Sequence, residues 1–478
     1  AQFAGATATP EFLTYLDHFL RIDYGQDYYK RLDKVIEFRV SGDLTLKGKI
    51  ENMFQQVVYT VNQPAAARGN QSVFWNIAYF DKYYFEAIFK GFFFPDGDKP
   101  CWESVNVLQK LFMKWFNKER THEVMTFPVE TFNLLNDGNG DYKDKENAEF
   151  CAEMLAEGHS FFIYQSDSPD ALASCCRLRN ALENNEFSYT LGAGGIETGS
   201  KGVITLNLNR IVQDWKNEGC KVTLKERITE ITERVHKYLS AFNDIVWDYY
   251  NNGMLQIYNE GFINLDKQFL TIGINGFVEG AEFLGYKISP DDENYKQYAI
   301  DILTTIKDLN KRDRQPHCKF NTEFVPAESL GVKNAKWDKE DGYWVPRDVY
   351  NSYFYIVEDT HTTPLEKFEL MGKDFTGCLD GGSALHMNLD EHLSKAQYEM
   401  LMKVAVKDGC NYFTFNIPNT VCNDCGHISK QNLKACPKCG STNLDYLTRV
   451  IGYLKRVSNF SEARQREAKR RYYADNIQ

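Results

Sequence analysis

Four cysteines near one end of this chain constrain its folding more than any other feature. Cys422, Cys425, Cys436 and Cys439 form two C-x-x-C pairs with ten residues between them. Each pair puts two thiolates on one tight turn, and ten residues suffice for a short hairpin that brings all four to one tetrahedral Zn2+. Gly426 and Gly440 follow their pairs directly, as a knuckle turn needs, and Pro437-Lys438 fills the second pair. The spacing predicts a zinc ribbon. A closed four-cysteine site leaves no open position for a substrate, so the metal is expected to be structural and not catalytic.

Ribbons of this kind also occur in nucleic-acid or adaptor modules, and charge bears on that alternative. The chain carries 66 acidic against 55 basic residues, a formal charge of −11, which argues against broad nucleic-acid binding. Basic residues concentrate only at Arg464, Arg466, Lys469, Arg470 and Arg471, with Glu462 and Glu467 interleaved. That run reads as a solvated terminal helix. With 478 residues and 43% hydrophobic content, the chain can bury one large core or two to three ordinary ones. Twelve cysteines, four of them in zinc spacing, suit a reducing compartment. No apolar run reaches membrane-spanning length and no signal peptide is visible, so a cytoplasmic protein without membrane or nucleic-acid partners is expected. The chain starts at Ala1 without Met, inside what reads as a helix, which suggests a segment of a longer polypeptide.

Residues 1–60 have apolar positions at helical spacing, and Pro10 suits a first turn. Val73–Phe80 and Met125–Pro128 read as strands, with a helix through Leu108–Asn117 between them. Gly202–Arg210 reads as a further strand, followed by a helix over 224–260. Thr271–Gly276 reads as a strand turning into a helix at Phe277, and Tyr298–Arg312 as another helix. Gly381-Gly382 is a glycine turn feeding a strand through His386, which reads as a satisfied polar residue on that strand and not as a ligand. A helix at 394–407 and a strand at Tyr412–Ile417 lead to the ribbon. Helices alternating with short apolar strands imply an α/β fold. Ser174-Cys175-Cys176-Arg177-Leu178 precedes a glycine-rich stretch and a strand, so a flexible finger can carry a cysteine toward a substrate. The division expected is a catalytic domain over 1–417 and a ribbon domain over 418–478.

Arg449-Val450-Ile451-Gly452-Tyr453-Leu454 resembles the radical loop of the glycyl radical enzymes, and a four-cysteine site just before it resembles the anaerobic (class III) ribonucleotide reductases. Gly69-Asn70-Gln71-Ser72, Ser174–Leu178, Gly202–Leu208, Pro326–Ser329, Asn351-Ser352-Tyr353 and Gly381-Gly382 fall in that family's order. The resemblance implies a ten-stranded α/β barrel of glycyl radical enzyme type. It implies a radical on Gly452, installed by a separate radical-SAM activase and passed to Cys176, whose thiyl takes the ribose 3′-hydrogen. Cys175 belongs to the same catalytic pair, and substrate binding falls to Asn207, Ser174, Gly381 and Gly382. The implied partners are a ribonucleoside triphosphate, nucleotide effectors, a second copy of the chain, and formate or a thioredoxin-like reductant. The Cys-Cys-Arg-Leu finger and Glu323 or Glu328 lean toward the thioredoxin-like kind. The family's other catalytic cysteine sits on its first barrel strand. No cysteine precedes Cys101, so that strand is expected upstream of Ala1. A formate-lyase-like enzyme also pairs adjacent cysteines with an Arg-Val-x-Gly-Tyr loop, but the ribbon and the Gly202–Leu208 strand disfavour it.

Overall fold

The computed structural model describes residues 6–38, 40, 42–63, 72–169, 171–173, 179–181, 199–261, 263–324, 329–379, 382–450 and 452–475. Its main sheet grows from parallel neighbours. Ala6–Thr9 pairs with Phe74–Phe80, which pairs with Val129–Leu135, which pairs with Phe162–Ser166, all parallel. All seven residues of Val129–Leu135 are buried, as expected for a strand covered on both faces by helices. Phe162–Ser166 then meets Tyr412–Asn416 antiparallel through Tyr412↔Tyr164 and Phe413↔Ile163. On the far side of Tyr412–Asn416 lies Leu385–Asn388, again parallel.

A second, three-stranded parallel sheet places Gln268–Asn275 between Gly199–Asn207 and Lys319–Phe324. A single parallel bridge from Glu323 to Gly382 ties its edge to the turn before Leu385–Asn388. Gly382 has φ +102°, a conformation that favours glycine and lets the chain turn into that strand. Among the described residues the two sheets do not close into one hydrogen-bonded ring, so the observed class is α/β with two mostly parallel sheets.

Helices connect these strands and cover them. Leu224–Asn251 begins with a reciprocal cap, Thr223 accepting from the Glu226 amide while Glu226 accepts from Thr223. No helix among the described residues is long and apolar enough to cross a membrane.

Three local expectations need correction. Ala6–Thr9 is a strand, not part of a helix: Thr7 and Thr9 are β-branched, a ready partner strand lies alongside, and the Trp75 indole donates to Thr9 Oγ1 at 2.7 Å. Val35–Glu37 pairs with Leu44–Thr45 as a hairpin between the helices Phe12–Tyr24 and Leu46–Asn62, so helical spacing over 32–38 misled. The third is the strand expected at Met125–Pro128, which begins instead at Val129, because Pro128 has no amide to give to a ladder.

Candidate active site

The ribbon is a four-stranded antiparallel sheet in the order Ile428–Ser429, Asn419–Cys422, Leu444–Thr448, Lys455–Arg456. Each cysteine pair closes on its glycine. The Gly426 amide donates to Cys422 O at 3.0 Å and the Gly440 amide to Cys436 O at 2.9 Å, with φ of +71° and +73° at the two glycines. The four Sγ atoms all lie within 4.8 Å of one another, with Cys422–Cys439 and Cys425–Cys436 at 3.6 Å. A tetrahedron of Zn–S bonds about 2.3 Å long puts its sulfurs about 3.8 Å apart, so the four thiolates fit Zn2+. The donor set is all sulfur, which suits a structural ion. Lys430 fastens the ribbon to the larger body, donating to Asn117 Oδ1 at 2.6 Å and to Glu157 O at 3.3 Å.

From the ribbon's Leu444–Thr448 strand the chain runs directly into Arg449, Val450, Gly452 and Tyr453. Gly452 is buried. Arg449 is only 1% exposed and braces the loop from within. Its Nη1 donates to Gly452 O at 2.7 Å, while Nε and Nη2 donate to Ser160 Oγ and Ser160 O, each at 3.1 Å. The guanidinium lies 4.8 Å from the centre of the Phe162 ring, a cation–π distance. Asn416, at the end of its strand, accepts from the Arg449 amide at 2.9 Å and donates to Asn388 Oδ1 at 2.7 Å. Tyr453 packs on Phe74 and Phe127. The loop therefore seats where the two parallel groups of strands meet antiparallel.

A second arginine holds it from outside. Arg471 Nη1 donates to Arg449 O at 2.8 Å and Nη2 to Val450 O at 2.6 Å. Glu467 bonds both Arg471 and Arg464, and all three side chains are buried. The solvated-helix expectation for 464–471 is thus wrong for one face: Arg464, Glu467 and Arg471, spaced three and four apart, point inward, while Arg466, Lys469 and Arg470 stay exposed. Burial alone would raise the Glu467 carboxyl, but Arg471 and Arg464 outweigh it and hold the group below its usual 4.5. A lowered folded-state value means that this carboxylate stabilises the fold above pH 4.5 and loses that contribution as pH falls through the lower value. Glu467→Gln leaves two arginines buried without their charge partner. It should cost about 3–5 kcal/mol in denaturant unfolding and flatten the acid limb of the stability profile.

Sequence reasoning also missed a buried network behind the loop. Glu130 accepts from Tyr79 and Arg120 and bonds His159 at 3.0 Å, and Arg120 Nη1 donates at 2.9 Å to the same Ser160 carbonyl that Arg449 uses. Burial would raise Glu130, yet His159 and Arg120 bring it below its usual value. No local pattern marks Tyr79, Arg120, Glu130 and His159, which come from four separate segments of the chain.

The remaining candidates divide. Ser174, Cys175, Cys176 and Gly381 lie outside the described residues. Gly382 sits at the bridge between the sheets. Asn207 ends its strand and caps the helix Leu208–Asn217, its Oδ1 accepting from the Arg210 amide at 3.3 Å while Nδ2 donates to Asp338 at 2.9 Å. His386 is buried on its strand with Nδ1 3.2 Å from Tyr353 Oη.

A family model described as anaerobic ribonucleoside-triphosphate reductase matches residues 1–473. A solved anaerobic ribonucleotide reductase shares 28% identity over 99% of this chain and 73% of its own, with a TM-score of 0.83. The Thermotoga maritima anaerobic ribonucleotide reductase in complex with dATP and CTP shares 28% identity over 97% of this chain and 74% of its own, at a TM-score of 0.80. The same protein with dATP in its specificity site gives 28%, 96%, 74% and 0.79. A comparison with curated proteins finds no match.

Proposed function

This chain belongs to the anaerobic ribonucleoside-triphosphate reductases, oxidoreductases that reduce ribonucleotides, and from that premise we propose that Gly452 stores the radical and Cys176 uses it. The observation that carries this assignment is the buried Gly452 itself, seated by Arg449 at the junction of the two strand groups. A backbone Cα radical is stabilised by delocalisation into both flanking amides, which needs a planar Cα without a side chain. Cα–H at a glycine and S–H have similar bond strengths, so exchange with a cysteine can run in both directions.

In this reading a radical-SAM activase removes one hydrogen from Gly452, and Cys176, paired with Cys175 on the finger, carries the radical to the ribose 3′-hydrogen. Ser174, Asn207, Gly381 and Gly382 line the substrate position. In this reading the two sheets are parts of a ten-stranded α/β barrel of glycyl radical enzyme type, whose interior would exclude water around the ribose. Residues 1–417 form the catalytic domain and 418–478 the ribbon and radical domain, with Zn2+ on Cys422, Cys425, Cys436 and Cys439 as scaffold. The substrate is a ribonucleoside triphosphate and the regulators are nucleotides, in keeping with the dATP and CTP bound by the Thermotoga maritima protein. The enzyme works in the cytoplasm as a homodimer, with formate or a thioredoxin-like protein as reductant.

Cys176→Ser separates store from effector. After anaerobic activation it should keep the glycyl electron paramagnetic resonance doublet while deoxynucleotide formation falls below detection. Turnover near the wild-type rate would remove Cys176 from the assignment.

A further inference from the structure

Arg449 does more than its place in a motif requires. Three of its contacts fix the guanidinium plane: Ser160 Oγ, Ser160 O and the Phe162 ring. The fourth aims Nη1 at the carbonyl oxygen of Gly452, at 2.7 Å. That oxygen belongs to the residue whose Cα is to carry the unpaired electron.

A glycyl radical is stabilised by a donor, the amide nitrogen, and an acceptor, the carbonyl. The resonance form that joins them places positive charge on nitrogen and negative charge on the carbonyl oxygen. A buried cation donating to that oxygen favours this form, and it does so more strongly in a water-poor site than it would in solvent. The neutral glycine has less charge on the same oxygen and gains less.

We propose that Arg449 is a positioning residue that tunes the stored radical, its charged hydrogen bond to Gly452 O stabilising the glycyl radical relative to the cysteine thiyl. This rests on Gly452 being the storage site. The exchange it biases is balanced: one S–H bond of Cys176 breaks, one Cα–H bond of Gly452 forms, and the unpaired electron moves from carbon to sulfur with no further oxidant or reductant. Arg449 holds that exchange toward carbon, so the radical waits on Gly452 between turnovers. Arg471, bonded to Arg449 O and Val450 O, fixes the loop without touching the conjugated carbonyl and is not part of the tuning.

The bland alternative is that Arg449 only props the loop. Wild-type enzyme carrying 15N in its arginine guanidino groups, activated anaerobically, tests first in its electron–nuclear double resonance spectrum whether this contact persists in the radical state. A 15N coupling to the glycyl radical is expected, and its absence overturns the proposal. In Arg449→Gln the doublet should show an altered α-proton splitting and an anaerobic lifetime about tenfold shorter, as loss of a hydrogen bond to a charged group implies, with Arg449→Lys between the two. An unchanged splitting and lifetime in Arg449→Gln also overturns it. Should neither variant accumulate radical, the labelled wild-type spectrum decides. A wild-type protein that forms no doublet at all, in contrast, counts against Gly452 as the store.

Discussion

Gly452→Ala is expected to give a folded, zinc-loaded protein with no radical doublet and no detectable ribonucleotide reduction after treatment with the activase. The loss should be complete because the added methyl acts twice. It disturbs the planar Cα on which delocalisation depends, and it must fit in a buried loop already fixed by Arg449 on one side and Arg471 on the other. A second readout checks the position. Air exposure of the activated wild-type chain should cut it next to Gly452, giving a large fragment and a small one from the last few dozen residues, and the alanine variant should stay intact. An uncut wild-type chain that had shown the doublet would place the radical elsewhere.

Removal of the metal should have the next largest effect. The ribbon's own apolar core is three buried side chains, Val421, Ile428 and Leu447, with Val124 packed against them. Burying a side chain of this kind is worth about 1.5–3 kcal/mol, whereas structural zinc in small domains supplies on the order of 10–16 kcal/mol. A zinc ion on the four cysteines would therefore decide whether the ribbon is folded. Chelation, or Cys436→Ser, should abolish amide protection across 419–456 and with it radical formation. Protection in Phe74–Phe80 and Val129–Leu135 should persist, since those strands have a large core of their own. Full protection of 419–456 in metal-free protein would show that docking through Lys430 suffices without zinc.

The parts of this site that depend on short-range chemistry are legible in the sequence. The cysteine spacing places four sulfurs on two knuckles, and they lie close enough to share one ion. Gly452 was readable only by resemblance, since a lone glycine after Arg-Val-Ile otherwise suggests a turn. What was not readable is long-range. Glu467 looks like one charge in a solvated run, and only the fold shows that its face turns inward between two arginines. Arg120, Glu130 and His159 carry no shared pattern because a helix end, a strand and a loop bring them together. The strand expected over Gly202–Arg210 begins at Gly199 and ends at Asn207, because Asn207 caps the next helix although the Leu-Asn alternation continues through Asn209.

The seat of Gly452 has a consequence for the order of assembly. Arg449 is bonded to Ser160 across 289 positions of chain, and its amide is bonded to Asn416 on the other strand group. The Arg449–Ser160 contact can form only once the loop-closure entropy of the chain between them has been met. Neither group alone offers the loop a complete socket. With Gly452 as the proposed store, the loop would work as a completion check: a chain that has folded only one group lacks half of the socket around residue 452, so a radical there would be sheltered only in a molecule that has finished folding.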